Sequence, residues 1–139
     1  MPARNIYHDA VVTALKADGW TITADPLTVT YGARRLFVDL AAEHAVIGAE
    51  RNGERIAVEV QSFLGDSDIE NLQHAVGQYV VYRMLLDEIE PARLLYLAVH
   101  DDVYTGILSE PLGQLVLTNL KMRLLVFNTS TRSITQWIS

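Results

Sequence analysis

The sequence predicts one mixed α/β domain over residues 1–139, with secondary structure in the order αβββαβ followed by a smaller tail. Three observations predict this class. Apolar residues repeat with helical spacing near the start of the chain, and Asn52-Gly53 separates two strand-like segments. The continuous apolar run at residues 94–99, LLYLAV, is typical of a central strand that is buried on both faces.

Composition and charge exclude several kinds of protein. The chain has no cysteine, so disulfides and thiolate metal sites are excluded. No apolar run approaches the ~20 residues that span a bilayer, and the first residues lack the apolar centre of a signal peptide. We therefore expect a cytoplasmic protein without membrane association.

The net charge of −6 argues against broad, non-specific nucleic-acid binding, which depends on many contacts from Lys and Arg to phosphates. The first 55 residues are less acidic than the rest. Their basic residues form either a local basic patch or ordinary solvated charges: Arg4, Lys16, Arg34, Arg35, Arg51 and Arg55.

The first helix is predicted over residues 4–18. Its apolar stripe consists of Tyr7, Ala10, Val11, Ala14 and Leu15. Gly19 then provides a C-terminal stop. At 100° per residue, His8 falls on the edge of the stripe beside Leu15, where a histidine either packs or contacts a ligand.

Strands are predicted over residues 20–24, 27–31, 36–40, 45–50 and 56–61. Asp25-Pro26 separates the first two, and Asn52-Gly53 is the strongest short hairpin signal in the sequence. Residues 35–61 are therefore expected to form an antiparallel meander.

The second helix begins with a capping box, in which Ser67 is followed three residues later by Glu70, and it should end near Glu88 because Pro91 blocks continuation. Residues 77–86 are apolar on nearly all sides, so this helix is either sandwiched inside the monomer or covered by a partner. We expect a homodimer or a tight heteromeric contact over residues 81–89. Beyond it, the sequence predicts a strand at 94–99, a short helix capped by Asp101, another helix after Pro111, and strands at 124–127 and 134–138.

Polar residues interrupt the strand at residues 56–61. Because strand side chains alternate, Glu59 and Gln61 share one face, and Asp39 stands among apolar residues on an earlier predicted strand. A lone buried carboxylate is costly, and two nearby carboxylates raise each other's pKa, whereas one Mg²⁺ ion bound by Asp39 and Glu59 removes both problems. The alternative is a satisfied hydrogen-bond pair with Tyr79 or Tyr82.

The same residues resemble the signature of the PD-(D/E)xK nuclease superfamily, in which an aspartate precedes a hairpin and a Glu-x-Lys motif. The resemblance implies that Asp39 and Glu59 bind metal and that Gln61 stands where the motif has lysine. Gln78 and Tyr82 match the Gln-x-x-x-Tyr spacing found on the following helix of many members, although a dimer surface also explains them. His8 stands where a first-helix acid often lies and would contact a metal or a phosphate.

Longer segments resemble the XisH family across nearly the whole chain. The matching segments are MPARNIYHDAVVTALKADGWTIT, FVDLAAE, IAVEVQSF, GQYVVYR, IEPARLLYLAV, VFN and QWI. The resemblance implies a restriction-endonuclease-like αβββαβ core, with a mixed sheet flanked by helices. It also implies a cyanobacterial protein that controls the excision of a DNA element and acts together with a site-specific recombinase. An XisI-like protein and DNA are the other partners that the resemblance implies.

The sequence leaves two functions open, and the chemistry of Gln61 distinguishes between them. Glutamine can position a water molecule but adds no positive charge, and losing one such group typically costs ~10²–10³ in rate. The first expectation is an accessory excision factor with weak or absent cleavage. The second is a Mg²⁺-dependent DNA endonuclease. Val38, where the superfamily's proline would stand, matters little because that position varies.

Overall fold

The structure is a computed structural model that describes residues 6–36 and 46–139. The helices are α1 (Ile6–Ala17), α2 (Asp68–Ile89), α3 (Asp101–Thr105) and α4 (Pro111–Leu120), with a 3₁₀ turn at Ile107–Ser109. The strands are β1 (Thr21–Ala24), β2 (Val29–Tyr31), β3 (Arg34–Leu36), β4 (Val46–Arg51), β5 (Glu54–Val60), β6 (Arg93–His100), β7 (Leu124–Asn128) and β8 (Ser133–Ile138). Within these two ranges no helix is long and apolar enough to cross a membrane.

Six strands form one mixed sheet in the order β1-β4-β5-β6-β7-β8, and β2 pairs with β3 in a separate two-stranded sheet. β4 is antiparallel to both β1 and β5, whereas β6 is parallel to both β5 and β7. The order α1-β1-β4-β5-α2-β6 is the predicted αβββαβ order. The predicted fold class, a nuclease-like core with a mixed sheet flanked by helices, is therefore confirmed.

The hairpin between β4 and β5 is also confirmed. Asn52 and Gly53 have φ angles of 51° and 84°, and positive φ at both central residues is what a type I′ turn requires. The rest of the predicted meander is wrong in the described residues. β3 pairs with β2 instead of β4, because the two edges of β4 are occupied by β1 and β5. The predicted strand at 36–40, including Asp39 and Val38, lies outside the described residues beyond Leu36.

The sheet separates two apolar clusters, which fixes the direction of every side chain on β5. On one face, α1 packs against alternate residues of the strand: Ile56, Val58 and Val60. On the other face, α2 packs against Ala57 and the inward residues of β6. Because side chains alternate along a strand, Glu59 and Gln61 point to the α2 side with Ala57.

The second helix begins as predicted. Ser67 Oγ accepts a hydrogen bond of 3.2 Å from the backbone N–H of Glu70, which is the first half of the capping box. The prediction that Asp101 caps the next helix is wrong by one residue. His100 is the N-cap of α3, because its Nδ1 accepts the backbone N–H of Asp102 at 3.1 Å.

Candidate functional site

Glu59 lies on the second-last position of β5 and is completely enclosed. Its carboxyl-bearing side chain is 1% exposed. Its neighbours across the sheet are Val46 on β4 and Leu97 on β6, both of them buried and apolar. A carboxyl group in this position loses its hydration without gaining a charged partner from the adjacent strands.

Gln61 connects this carboxyl group to the second helix. Its Nε2 donates a hydrogen bond of 2.8 Å to Glu59 Oε2 and another of 2.6 Å to Gln78 Oε1. The residue is itself buried, and its backbone N–H continues the parallel pairing by donating to Ala98 O at 3.1 Å. Because one amide group has two N–H donors, these two bonds use both of them.

Burial raises the pKa of Glu59 from 4.5 to about 8, and the hydrogen bond from Gln61 offsets only a part of that rise. At pH 7 the carboxyl group is therefore mostly protonated and uncharged. Its Oε1 has no hydrogen-bond partner among the described residues. A cation at this oxygen would favour the carboxylate and return the pKa toward its ordinary range.

A divalent cation fits this arrangement. Glu59 Oε1 is a buried carboxylate oxygen without a hydrogen-bond partner among the described residues, and Mg²⁺ usually takes one or two carboxylates and completes its shell with water. Asp39, the second predicted ligand, lies outside the described residues. The predicted convergence of Asp39 and Glu59 on one cavity therefore stays a prediction.

The structure brings together Glu59, Gln61 and Gln78, three of the residues that the sequence singled out. Tyr82 packs half-buried against the α2-side core. The alternative partner Tyr79 is wrong for this site, because its hydroxyl donates to Leu95 O at 3.1 Å and accepts the backbone N–H of Arg123 at 3.0 Å.

His8 makes a different contact from the one expected. It is buried on α1, the helix that covers the opposite face of the sheet from α2. Its Nε2 lies 2.9 Å from Asp25 Oδ2. The sequence indicated Asp25 only as part of a turn, so this partner was missed. Whether His8 also contacts a metal or a phosphate stays a prediction.

A further group of titratable side chains lies at the end of β6 and was missed because its members are adjacent in the sequence. His100, Asp101 and Asp102 bring three ligand-type atoms within 4.8 Å of one another. The ring accepts the cap hydrogen bond of α3, and Asn128 Nδ2 donates to Asp101 Oδ2 at 2.7 Å. The first contact caps α3, and the second connects α3 to β7.

The fold and the site define a mixed α/β protein with a buried carboxyl–amide pair at the carboxyl end of a central strand. The chain belongs to the XisH family, because the family model described as XisH protein matches residues 1–135.

Two solved structures are similar over almost the whole chain. An XisH family protein from Nostoc punctiforme PCC 73102 is 37% identical, covers 97% of this chain and 100% of its own, and has a TM-score of 0.88. An fdxN element excision controlling factor protein from Anabaena variabilis is 39% identical, with 96% and 98% coverage and a TM-score of 0.87. None of the curated proteins compared with the sequence matches it.

Proposed function

We propose that this protein is an accessory factor in the excision of a DNA element and that it acts by binding instead of by efficient cleavage. Membership of the XisH family and the similarity to a protein described as an fdxN element excision controlling factor support this role. DNA, a site-specific recombinase and an XisI-like protein are its proposed partners. The source of the protein is proposed to be cyanobacterial, like the two neighbours.

The observation that carries the proposal is the state of Gln61. In a nuclease of the PD-(D/E)xK type, which is the superfamily proposed here, a lysine at this position brings positive charge to the attacking water. Gln61 brings none, and both of its N–H groups are already bonded to Glu59 and Gln78. Among the described residues, Gln61 therefore has no free N–H donor, and the raised pKa of Glu59 leaves that carboxyl group mostly uncharged at pH 7.

The variant Glu59→Gln tests this role, because it replaces a mostly neutral carboxyl group with a neutral amide of the same shape. Excision of the element is measured by amplification across the rejoined junction, in cells whose own gene has been deleted and replaced. An accessory factor predicts excision at the wild-type level from Glu59→Gln and none from the empty control. If Glu59→Gln, folded and expressed at the wild-type level, abolishes excision, a catalytic carboxylate is required and the accessory role is wrong.

The second candidate, a Mg²⁺-dependent DNA endonuclease, is favoured by the unpartnered Oε1 of Glu59. A bound Mg²⁺ ion would supply Lewis-acid stabilisation of the phosphodiester group. Glu59 would hold the metal together with Asp39, and Gln61 would keep Glu59 oriented. Because Glu59 must ionise to bind metal, loading should release close to one proton at pH 7, which calorimetry in buffers of different ionisation enthalpy measures without any activity assay.

A further inference from the structure

A basic pocket lies well away from Glu59, between the second half of α2 and the starts of β6 and β7. Its volume is about 490 Å³, and four basic side chains line it: Arg83, Arg93, Lys121 and Arg123. Arg93 lies four residues before Leu97, the residue that pairs with Glu59. At ~3.3 Å per residue, the pocket is ~13 Å along the sheet from that site.

The positive charge of this pocket is not neutralised. Arg93 is paired with Glu90 at 3.0 Å and donates to Ile56 O at 2.9 Å, so its guanidinium group is already used in contacts within the fold. In the part of the chain that the structure describes, Arg83, Lys121 and Arg123 have no carboxylate within the ion-pairing distance of 4.0 Å. The carboxylate that lines the pocket is Asp87. Three cations against one carboxylate leave a local surplus of two positive charges.

Two other arginines of the described chain, Arg51 and Arg55, are already engaged. Arg51 bonds Asp18 at 3.0 Å and stacks on the Trp20 ring at 4.4 Å. Arg55 lies near Glu50 and Glu90. These two arginines belong to the basic patch that the sequence suggested, and both are used in ion pairs.

Helix capping explains only one of the pocket's contacts. Arg83 Nη1 donates to Leu120 O at 2.6 Å, at the carboxyl end of α4. A guanidinium group has five N–H donors, so others stay available to a ligand. Lys121 is exposed and Arg123 half-exposed, and each contributes a cationic group. In a protein of net charge −6, uncompensated cations in a concave site favour an anion with several acceptor oxygens.

We infer that this pocket binds neighbouring backbone phosphates of nucleic acid, through Arg83, Lys121 and Arg123. Arginine presents a planar fork of donors to phosphate oxygens, and lysine adds a point charge. The inference deepens the proposed function, since a factor in DNA excision needs a surface for DNA, and it places that surface outside the Glu59 site. Contact with two or three phosphates gives modest, salt-dependent affinity instead of the tight binding of a strongly basic protein.

The test measures the fluorescence anisotropy of a labelled DNA duplex titrated with the full chain between about 50 and 200 mM salt. The double variant Lys121→Gln/Arg123→Gln should weaken binding about tenfold or more and reduce the salt slope by about 2, one for each lost phosphate contact. Lys16→Gln is the control for the loss of one exposed charge elsewhere, because Lys16 is exposed like Lys121 but lies on α1, and this variant should bind like the wild type. Both changes are at exposed or half-exposed positions, and thermal unfolding verifies the fold.

Equal binding by the wild type and the double variant would overturn the inference, and so would a wild type that does not bind the duplex. Adenosine monophosphate provides the second arm. If it binds in a Lys121- and Arg123-dependent manner while the duplex does not, the pocket takes a free nucleotide and the nucleic-acid assignment is wrong. The excision assay with Glu59→Gln in cells does not depend on these binding results. The inference about the pocket can therefore be wrong while the accessory role holds, and the reverse.

Discussion

Gln61 donates a hydrogen bond of 2.8 Å to the buried carboxyl group of Glu59, two residues earlier on the same strand face. The same amide group donates to Gln78 on α2, so its donors are fully used. A glutamine that donates a hydrogen bond to an attacking water needs a free N–H group in an open site. In this arrangement Gln61 connects the sheet to α2. This role is structural and agrees with the proposed accessory function.

The raised pKa of Glu59 predicts that the protein is destabilised as the pH rises. The unfolded carboxyl group ionises near 4.5, whereas the folded one stays protonated up to about 8. Between these values the unfolded state binds fewer protons, so the free energy of unfolding falls as the pH increases. The loss is a few kcal/mol, on the order of 1.4 kcal/mol for each unit of pKa shift.

Urea denaturation at pH 5 to 9 measures this effect, with Glu59→Gln as the control that cannot ionise. The difference in the free energy of unfolding between the variant and the wild type should grow in favour of the variant up to about pH 8 and then level off. Parallel pH profiles for the two proteins would show that Glu59 is ionised in the folded state.

Tyr79 is expected to be a strong stabilising residue because its hydroxyl bridges two strands. The ring is 0% exposed, and the hydroxyl links Leu95 O on β6 to the backbone N–H of Arg123 just before β7. Tyr79→Phe leaves both backbone groups without that partner and should lower the free energy of unfolding by ~1–3 kcal/mol. Tyr31→Phe, at a half-exposed position on β2, is the control and should change it by less than about 0.5 kcal/mol. A Tyr79→Phe variant as stable as the wild type would mean that water satisfies both groups.

The sequence predicted those parts of the fold that depend on local chemistry. Asn52 and Gly53 adopt the two positive φ angles that the hairpin turn needs, and Ser67 caps the start of α2. Both features are therefore encoded in two to four adjacent residues. The pairing of β4 with β1 was not predicted, because it joins strands that are more than twenty residues apart and no local signal specifies it. Strand order depends on the packing of the whole sheet.

The same distinction applies to the candidate site. Strand alternation was sufficient to place Glu59 and Gln61 on one face, and a spacing motif indicated Gln78. The basic pocket had no such signal, because Arg83 lies on α2 whereas Lys121 and Arg123 lie in the connection from α4 to β7, and the two segments meet only in the folded protein. The contact between His8 and Asp25 was hidden for the same reason.

The outer face of α2 predicts a homodimer, which stays untested in a single chain. Val81, Met84 and Ile89 are 45%, 59% and 44% exposed. Val81 and Met84 are three positions apart, so they form one apolar surface on the helix. A charge there should oppose association, and Met84→Glu should convert the dimer to a monomer at tens of micromolar, as measured by light scattering. Ile69→Glu, at the other end of α2 and 46% exposed in the wild type, should leave the dimer intact. A monomeric wild type without added partner contradicts the homodimer.

Restoring a cation beside Glu59 tests the endonuclease alternative. The ammonium group of Gln61→Lys should lower the pKa of Glu59 from about 8, because a nearby positive charge favours the carboxylate. It also supplies the charge that Gln61 lacks. Mg²⁺-dependent nicking of supercoiled plasmid should then rise ~10-fold or more above the wild type, within the range of one electrostatic group.

Two further variants determine whether the gain comes from charge at a metal site. Gln61→Met has a similar length to lysine without its charge and should stay at the wild-type level. Glu59→Ala in the Gln61→Lys background should abolish nicking, because the metal loses one of its two proposed carboxylate ligands, and EDTA should do the same. If Gln61→Lys is folded and binds Mg²⁺ yet nicks no faster than Gln61→Met, the charge of residue 61 does not limit cleavage. That result contradicts the endonuclease prediction and favours the accessory role.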